Sequence, residues 1–275
     1  MVNLEKKAKQ LRKTVFSCIY LGGGGHITGS LSTIEILAVL YNGILRIDHK
    51  NPKAPNRDRF ILSKGHAGVS LYAVLADRSF FPKEELCKFG KRDGVLGGHP
   101  DMLKVPGVEA STGSLGHGFS FGAGIALAGK LDKKKYRVFI LLGDGECQEG
   151  SVWETAMFAS QYKLDNLIAI IDYNKIQAID RLDKIVSLEP LGAKWKAFGW
   201  KVKEVDGHNI VQLHRVLNSV PFAKGKPSLI IAHTIKGKGI SFMENVPIWH
   251  YRLPNQEELR IACKDLGLEK MQDEL

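Results

Sequence analysis

Several features that would place a chain in a well-known class are missing from these 275 residues. No apolar run approaches the roughly 18 residues that a membrane helix needs, and the best of them, such as residues 138–142, have only strand length. The charged N-terminal stretch lacks the long apolar region of a signal peptide. The four cysteines are widely spaced without a CxxC pair, which argues against a disulfide scaffold or a cysteine zinc cluster. Together these absences predict a cytoplasmic protein with no membrane partner.

The sequence is basic, but its positive charge is not concentrated in one place. Lysine and arginine number 39 against 29 acidic residues, which gives a net charge of +10. Because no basic stripe is interleaved with aromatic side chains, nucleic-acid binding is disfavoured and an anionic small molecule is favoured. There is also no internal repeat, low-complexity tract or linker. We therefore expect a single domain over residues 1–275, with helical extensions at both termini.

Short apolar runs alternate with amphipathic segments, most clearly in the second half of the sequence. The apolar runs are continuous, which is typical of strands buried on both faces of a parallel sheet. The pattern predicts an α/β fold, with a doubly wound, mainly parallel sheet and helices on both faces. Ser32 and Glu35 have the spacing of a capping box at the start of the second helix. Expected strands cover 59–63, 137–142, 167–172, 200–205 and 229–233; expected helices cover 4–21, 32–45, a segment from 67, 115–128, 152–162, 193–198 and 211–220; residues 82–113 are expected to be irregular.

Polar residues and glycines follow the expected strands at the ends where the chain leaves the sheet. In an open α/β sheet, ligands bind outside the carboxyl ends of the strands. The sequence therefore predicts that one edge of the sheet is the active edge. The segments that meet there read Ser63-Lys64-Gly65-His66, Gly143-Asp144-Gly145, Tyr173-Asn174, Asp206-Gly207-His208 and His233-Thr234-Ile235-Lys236.

The most specific of these segments begins with Asp144, and Asn174 follows 30 residues later at the end of the next strand. An Asp-Gly pair alone is a common turn, but the added asparagine makes the pattern much more specific. Asp144, Asn174 and the backbone carbonyl of Ile176 offer three oxygen ligands for a hard divalent cation, either Mg²⁺ or Ca²⁺. Gly145 lets an anion approach the backbone amides closely.

The segment from Gly143 to Asn174 resembles the diphosphate-binding motif of thiamine diphosphate enzymes. Over about residues 11–250 the chain resembles the N-terminal, diphosphate-binding part of the transketolase family. The motifs that carry this resemblance are Gly25-His26, Leu62-Ser63-Lys64-Gly65-His66-Ala67, Gly98-His99-Pro100, Thr112-Gly113-Ser114-Leu115-Gly116, Lys236-Gly237-Lys238-Gly239 and Trp249-His250.

The resemblance implies thiamine diphosphate as cofactor, and it implies a role for each matching residue. Asp144, Asn174 and Ile176 would hold Mg²⁺ or Ca²⁺. Residues near the diphosphate would be His66, Gly145, Lys236 and His250, while Gly113, Ser114 and Leu115 would line the aminopyrimidine and thiazolium rings. The histidines around the reacting sugar would be His26, His66, His99 and His250. Glu149 matches a family glutamate that communicates between two cofactor sites.

The resemblance also implies that a glutamate from a second, pyrimidine-binding domain activates the cofactor. The expected sheet and its extensions use all 275 residues, so we expect that glutamate on a separate C-terminal transketolase subunit in an α₂β₂ assembly. The complete enzyme would pass a two-carbon ketol unit from a ketose phosphate to an aldose. A piece of a longer enzyme would give the same sequence pattern.

The sequence is also compatible with other functions. The chain could belong to a deoxyxylulose-phosphate synthase or be the α chain of a 2-oxo acid dehydrogenase, although the histidine set favours a sugar substrate. It could also be a non-catalytic homologue that serves in assembly. His208, His214 and His233 are expected to be structural.

Overall fold

The computed structural model describes residues 3–269. These residues contain one five-stranded parallel sheet. The strands lie in the order β1-β2-β3-β5-β4, and every neighbouring pair is parallel. Each strand lies within one residue of its expected bounds. Four of the five contain continuous apolar runs, which suit strands covered on both faces, whereas the edge strand Lys201–Asp206 is charged and largely exposed. The strands are β1 Arg59–Leu62, β2 Val138–Gly143, β3 Leu167–Tyr173, β4 Lys201–Asp206 and β5 Ser228–His233.

Helices cover both faces of the sheet and bury alternate residues of its strands. Phe60 and Leu62 of β1 point into one apolar core, whereas Ile61 between them points into the other. The first core contains residues from α1, α2, α3, α4, α9 and α10, and the second contains residues from α5, α6, α7 and α8. The helices are α1 Leu4–Leu21, α2 Ile27–Leu31, α3 Ile34–Val39, α4 Gly68–Asp77, α5 His117–Leu131, α6 Gly150–Gln161, α7 Leu182–Ile185, α8 Leu191–Ala197, α9 Ile210–Asn218 and α10 Gln256–Leu266.

The second expected helix, over 32–45, is divided in the structure, and its expected capping box is wrong. The helix α3 begins after Thr33, which makes no side-chain capping bond, and a π-helical turn follows over Leu40–Ile44. The Ser32 hydroxyl instead donates to Asp172 Oδ2 at 2.7 Å. Glu35 accepts from Arg12 at 2.7 Å. Both side chains are engaged in tertiary contacts, which override the local capping pattern.

The sheet brings the carboxyl ends of its strands to one edge. Gly143 lies beside Asp172 across the β2–β3 pair, and Tyr173 lies beside His233 across the β3–β5 pair. The loops that follow β1, β2, β3 and β5 therefore start side by side. No helix among residues 3–269 combines the length and apolarity that crossing a bilayer requires. That one domain spans 1–275 stays a prediction, since residues 1–2 and 270–275 lie outside the described part.

Candidate active site

A cleft of about 310 Å³ opens at the carboxyl edge of the sheet. Most of the residues expected in the site line it. Ser114 and Glu149 do not; both are exposed, and Glu149 lies at the N-terminal cap of α6. The expected residues that line the cleft are His26, His66, His99, Gly113, Leu115, Asp144, Gly145, Asn174, Ile176, Lys236 and His250.

The expected metal ligands lie together on one side of the cleft. Asp144 follows β2 directly, and its Oδ1 accepts a hydrogen bond from the Gly145 amide at 2.7 Å. The amide of Lys175 donates to the other oxygen. Asn174 follows β3, and its Oδ1 accepts from the Ile176 amide at 3.1 Å while its Nδ2 donates to Asp172 at 3.2 Å. These bonds fix both side chains at the wall of the cleft.

The donor set fits a hard divalent cation. Burial, together with the nearby charge of Asp172, raises the pKa of Asp144 to about 6, so a cation beside this carboxylate would relieve an electrostatic cost. Residues 3–269 contain no cluster of three or more His, Cys, Asp or Glu side chains suited to a metal. One carboxylate, one amide oxygen and one backbone carbonyl suit Mg²⁺ or Ca²⁺ completed by phosphate and water, and not a nitrogen- and sulfur-bound zinc.

Four histidines face one another across the cleft, with His26 at the centre. Its ring centroid lies 5.3 Å from that of His66, 5.9 Å from His99 and 5.0 Å from His250. The four come from separate loops far apart in sequence. Tyr251, which sequence reasoning missed, packs edge-on against His26 at 4.9 Å. The arrangement would surround a small polar ligand with imidazole rings.

The environment keeps three of these histidines neutral near pH 7. Burial and the charges of His99 and Lys236 lower the pKa of His26 to about 4. Burial and the charge of Lys236 lower the pKa of His250 to about 3. Burial and the charge of Lys64 hold the pKa of His66 well below its usual value. Neutral imidazoles can both donate and accept hydrogen bonds, and they can take up a proton.

Lys236 extends into the cleft from the loop after β5. Its ammonium donates to the carbonyls of Ile176 at 2.9 Å and Gln177 at 3.1 Å, and it lies 3.0 Å from Nδ1 of His250. Burial and the charge of Lys64 lower the pKa of Lys236 to about 8. The Ile176 carbonyl keeps a second lone pair for a cation, because a carbonyl oxygen can accept twice.

Three buried charged residues support the cleft, and sequence reasoning assigned none of them a role. Lys64 lines the cleft and pairs with Asp172, which also accepts from Ser32 and Thr234. Glu146 accepts from the Ser63 hydroxyl and from the amides of Gly116, at 2.8 Å, and Gly143, at 3.0 Å. It thereby joins three loops of the site. Lys64 and Glu146 both lie within motifs of the sequence. Their role could not be predicted from it, because the burial of a charged side chain depends on the tertiary structure.

Gly65 allows two of these loops to meet. A Cβ at this position would lie 2.6 Å from the carbonyl carbon of Thr112 and 2.7 Å from the Gly113 amide. Since backbone cannot give way as a flexible side chain can, no other residue fits there without a shift. The close approach places His66 beside the segment that begins at Gly113.

The sequence matches the family described as transketolase, thiamine diphosphate binding domain, over residues 4–273. The chain belongs to this transketolase family. The family prediction is therefore confirmed, and so is the prediction of a thiamine diphosphate-binding domain. The roles of individual residues stay predictions.

Several relatives are similar to this chain over 90% or more of its length. The chain is 41% identical to an apulose-4-phosphate transketolase subunit of Phocaeicola vulgatus, covering 98% of this chain and 97% of that protein. It is 43% identical to a 6-deoxy-6-sulfo-D-fructose transketolase subunit of Clostridium sp., covering 98% of both. Human transketolase is 42% identical over 90% of this chain, which corresponds to 39% of the human protein.

Solved transketolases share the fold. The enzyme from Leishmania mexicana superposes with a TM-score of 0.89 and 27% identity over 97% of this chain and 42% of its own. The enzyme from Campylobacter jejuni superposes with a TM-score of 0.89 and 30% identity, over 97% of this chain and 43% of its own. The predicted α/β fold class is thus confirmed. The chain spans about two fifths of these full-length enzymes and almost all of the relatives named as subunits.

Proposed function

We propose that the chain is the diphosphate-binding subunit of a transketolase that moves a two-carbon ketol unit from a ketose phosphate to an aldose. One observation carries the proposal: a single cleft joins the oxygens of Asp144, Asn174 and Ile176 to four facing histidines around His26. Cation-binding oxygens suit a diphosphate, and neutral imidazoles suit sugar hydroxyls. The near full-length similarity to relatives named as transketolase subunits supports it.

The chain's own residues would bind and orient the cofactor. Asp144, Asn174 and the Ile176 carbonyl would hold Mg²⁺ or Ca²⁺, which would offset the negative charge of the diphosphate. Gly145, Lys236, His66 and His250 would contact the phosphate oxygens, while Gly113 and Leu115, with Ser114 at the rim, would contact the rings. When bound, thiamine diphosphate would supply the chemistry for cleaving a carbon–carbon bond next to a ketone.

The histidines would bind the sugar and move its protons. His26 and His250 would exchange protons with the donor oxygens, because a neutral imidazole accepts a proton and then returns it. His66 and His99 would orient the sugar hydroxyls. The four histidines suit the polar end of a ketose. They leave the distal end of the donor to other contacts, so they are compatible with several donor sugars.

A second, pyrimidine-binding subunit would complete the site in an α₂β₂ assembly. The relatives of matching length are named as subunits, which supports a separate partner. An apolar patch lies on α5 and α6, whose first residues adjoin the cleft and Glu149. We assign this patch to a second copy of the chain, because two copies meeting there would bring their Glu149 residues near each other. The patch consists of Phe121, Leu131, Met157, Phe158 and Tyr162, all exposed by a third or more.

The test uses the full chain mixed with the protein encoded next to it, with thiamine diphosphate and Mg²⁺. We expect turnover of xylulose 5-phosphate with ribose 5-phosphate. Turnover of pyruvate with glyceraldehyde 3-phosphate would instead indicate a deoxyxylulose-phosphate synthase, and oxidation of a 2-oxo acid would indicate a dehydrogenase chain. No turnover, together with no stabilisation by thiamine diphosphate, would indicate that the chain serves only in assembly.

A further inference from the structure

Three side chains outside the cleft hold the loop that carries Lys236; Arg12 and Glu35 are buried, and His208 is partly exposed. We call residues 235–239 the Lys236 turn, and Arg12, Glu35 and His208 the Arg–Glu–His triad. Arg12 comes from α1, Glu35 from α3, and His208 from the loop between β4 and α9. The residues that line the cleft include none of the three. The triad is therefore separate from the groups that face a ligand.

The triad contacts the Lys236 turn on both sides of Lys236. The backbone amide of Ile235 donates to His208 Nε2 at 2.8 Å. Arg12 Nε donates to the Lys238 carbonyl at 2.8 Å. A Cβ at Gly239 would lie 2.5 Å from Arg12 Cδ, so the turn also packs tightly on this side chain. The triad thus fixes Ile235, one residue before Lys236, and Lys238, two residues after it.

The triad is held together by Glu35. Its Oε1 accepts from Arg12 at 2.7 Å, and its Oε2 lies 3.0 Å from His208 Nδ1. Since His208 Nε2 accepts from the Ile235 amide, the proton of the neutral ring is on Nδ1 and is donated to Glu35. Burial opposes ionisation of Glu35, but the bond from His208 and the charge of Arg12 hold its pKa below the usual value. The triad is a continuous hydrogen-bonded chain with one charge pair.

The position of the Lys236 ammonium depends on this turn. The ammonium reaches the carbonyls of Ile176 and Gln177 across the cleft, and Lys236 is almost fully buried. A small rotation of the turn would move Nζ away from that wall, because Nζ lies at the end of a long side chain that moves with the backbone of the turn. Fixing the backbone on both sides of Lys236 keeps the ammonium at the wall before any anion arrives.

We propose that the Arg–Glu–His triad is a positioning device, which fixes the Lys236 turn so that the Lys236 ammonium meets the diphosphate of the bound cofactor. The proposal rests on the proposed function for the identity of that anion. His208 and Arg12 are positioning residues, since neither faces the ligand. The triad acts on binding of the diphosphate, and the sugar-facing histidines act independently of it.

The experiment compares the wild-type chain with His208→Leu, His208→Gln and His214→Leu. His208→Leu removes both hydrogen bonds, whereas glutamine keeps one donor and one acceptor. His214 is a half-buried histidine on α9 that packs near Gly43, so His214→Leu is a matched control. Titration calorimetry with Mg²⁺ and thiamine diphosphate, on each chain mixed with the protein encoded next to it, gives the affinity. Hydrogen–deuterium exchange of peptides covering 230–240 reports on the turn.

We expect His208→Leu to bind thiamine diphosphate about tenfold more weakly, as the loss of the hydrogen bond that holds the Ile235 amide predicts. His208→Gln should recover most of that loss, and His214→Leu should match the wild type. Exchange over 230–240 should rise only in His208→Leu. In the assembled enzyme, the loss should appear in the apparent affinity for the cofactor and not in the rate at saturating cofactor. If His208→Leu does not fold, Arg12→Gln, which breaks the contact at Lys238, takes its place.

Two results would overturn the proposal. The first is wild-type affinity and wild-type exchange in a folded His208→Leu chain. The second is an equal loss in His214→Leu, which would indicate a general effect of the substitutions. A wild-type chain that bound no thiamine diphosphate, even when mixed with the protein encoded next to it, would overturn the proposed function and the identity of the anion, while the exchange comparison would still decide whether the triad fixes the turn.

Discussion

Replacing Lys64 by methionine should strongly destabilise the fold. Lys64 is 1% exposed and its partner Asp172 is fully buried. The ammonium contacts the Asp172 carboxylate and donates to the Gly29 carbonyl at 3.1 Å. Without it, Asp172 keeps its neutral donors, including Ser32 at 2.7 Å, but loses its only directly bonded cation among the described residues. Removing one partner of a buried ion pair costs about 3–5 kcal/mol.

Urea unfolding followed by circular dichroism measures this cost. Lys7→Met is the control, because Lys7 pairs with Asp77 at 2.8 Å with its side chain 26% exposed, and such a pair contributes about 0–1 kcal/mol. The double variant Lys64→Met/Asp172→Asn should regain part of the loss, since it no longer buries an unpaired charge. A loss below about 1 kcal/mol for Lys64→Met, equal to that of Lys7→Met, would refute the assignment of Lys64 and Asp172 as a buried ion pair.

Three further predictions concern the cofactor, the pH dependence of stability and the assembly. Asp144→Ala should abolish retention of thiamine diphosphate with Mg²⁺ while the melting temperature of the chain alone is kept; unchanged activity of the assembled enzyme would contradict the metal assignment. Burial opposes ionisation of Asp58, but bonds from Arg46 and Arg137 hold its pKa below the usual value, so its contribution to stability is complete above the unfolded pKa of about 4. This contribution is lost as the pH falls through the lower folded pKa. In thermal melts between pH 2 and 6, the melting temperature of Asp58→Asn should therefore fall less steeply with decreasing pH than that of the wild type. Phe121→Asp should weaken association of two copies in sedimentation velocity, whereas an unchanged sedimentation coefficient would exclude the α5–α6 patch as their contact.

The sheet could be predicted because its strands are determined by local pattern. Continuous apolar runs such as β3 need cover on both faces, and a parallel sheet with helices on each side provides it. The capping pattern at Ser32 failed because Asp172, 140 residues away, takes its hydroxyl. Local chemistry predicts a cap only where no tertiary partner competes.

The candidate site could be predicted where a residue follows a strand directly. Asp144 and Asn174 belong to this group, because parallel strands end at the same edge. The supporting charges Lys64 and Glu146 could not be predicted, since their partners come from other strands and loops. His208, expected to be structural, does lie outside the cleft. The hydrogen bond that it accepts from the Ile235 amide could not be predicted from the sequence, because it depends on the fold.

The central claim is that this chain holds one half of an active site. Its most direct test fixes the concentration of the chain with saturating thiamine diphosphate, Mg²⁺, xylulose 5-phosphate and ribose 5-phosphate, and then titrates the neighbouring-encoded protein. We predict no ketol transfer without the partner, a linear rise as it is added, and a plateau at equimolar subunits. Turnover by the chain alone at the plateau rate would contradict the claim, because it would place the whole active site within these 275 residues.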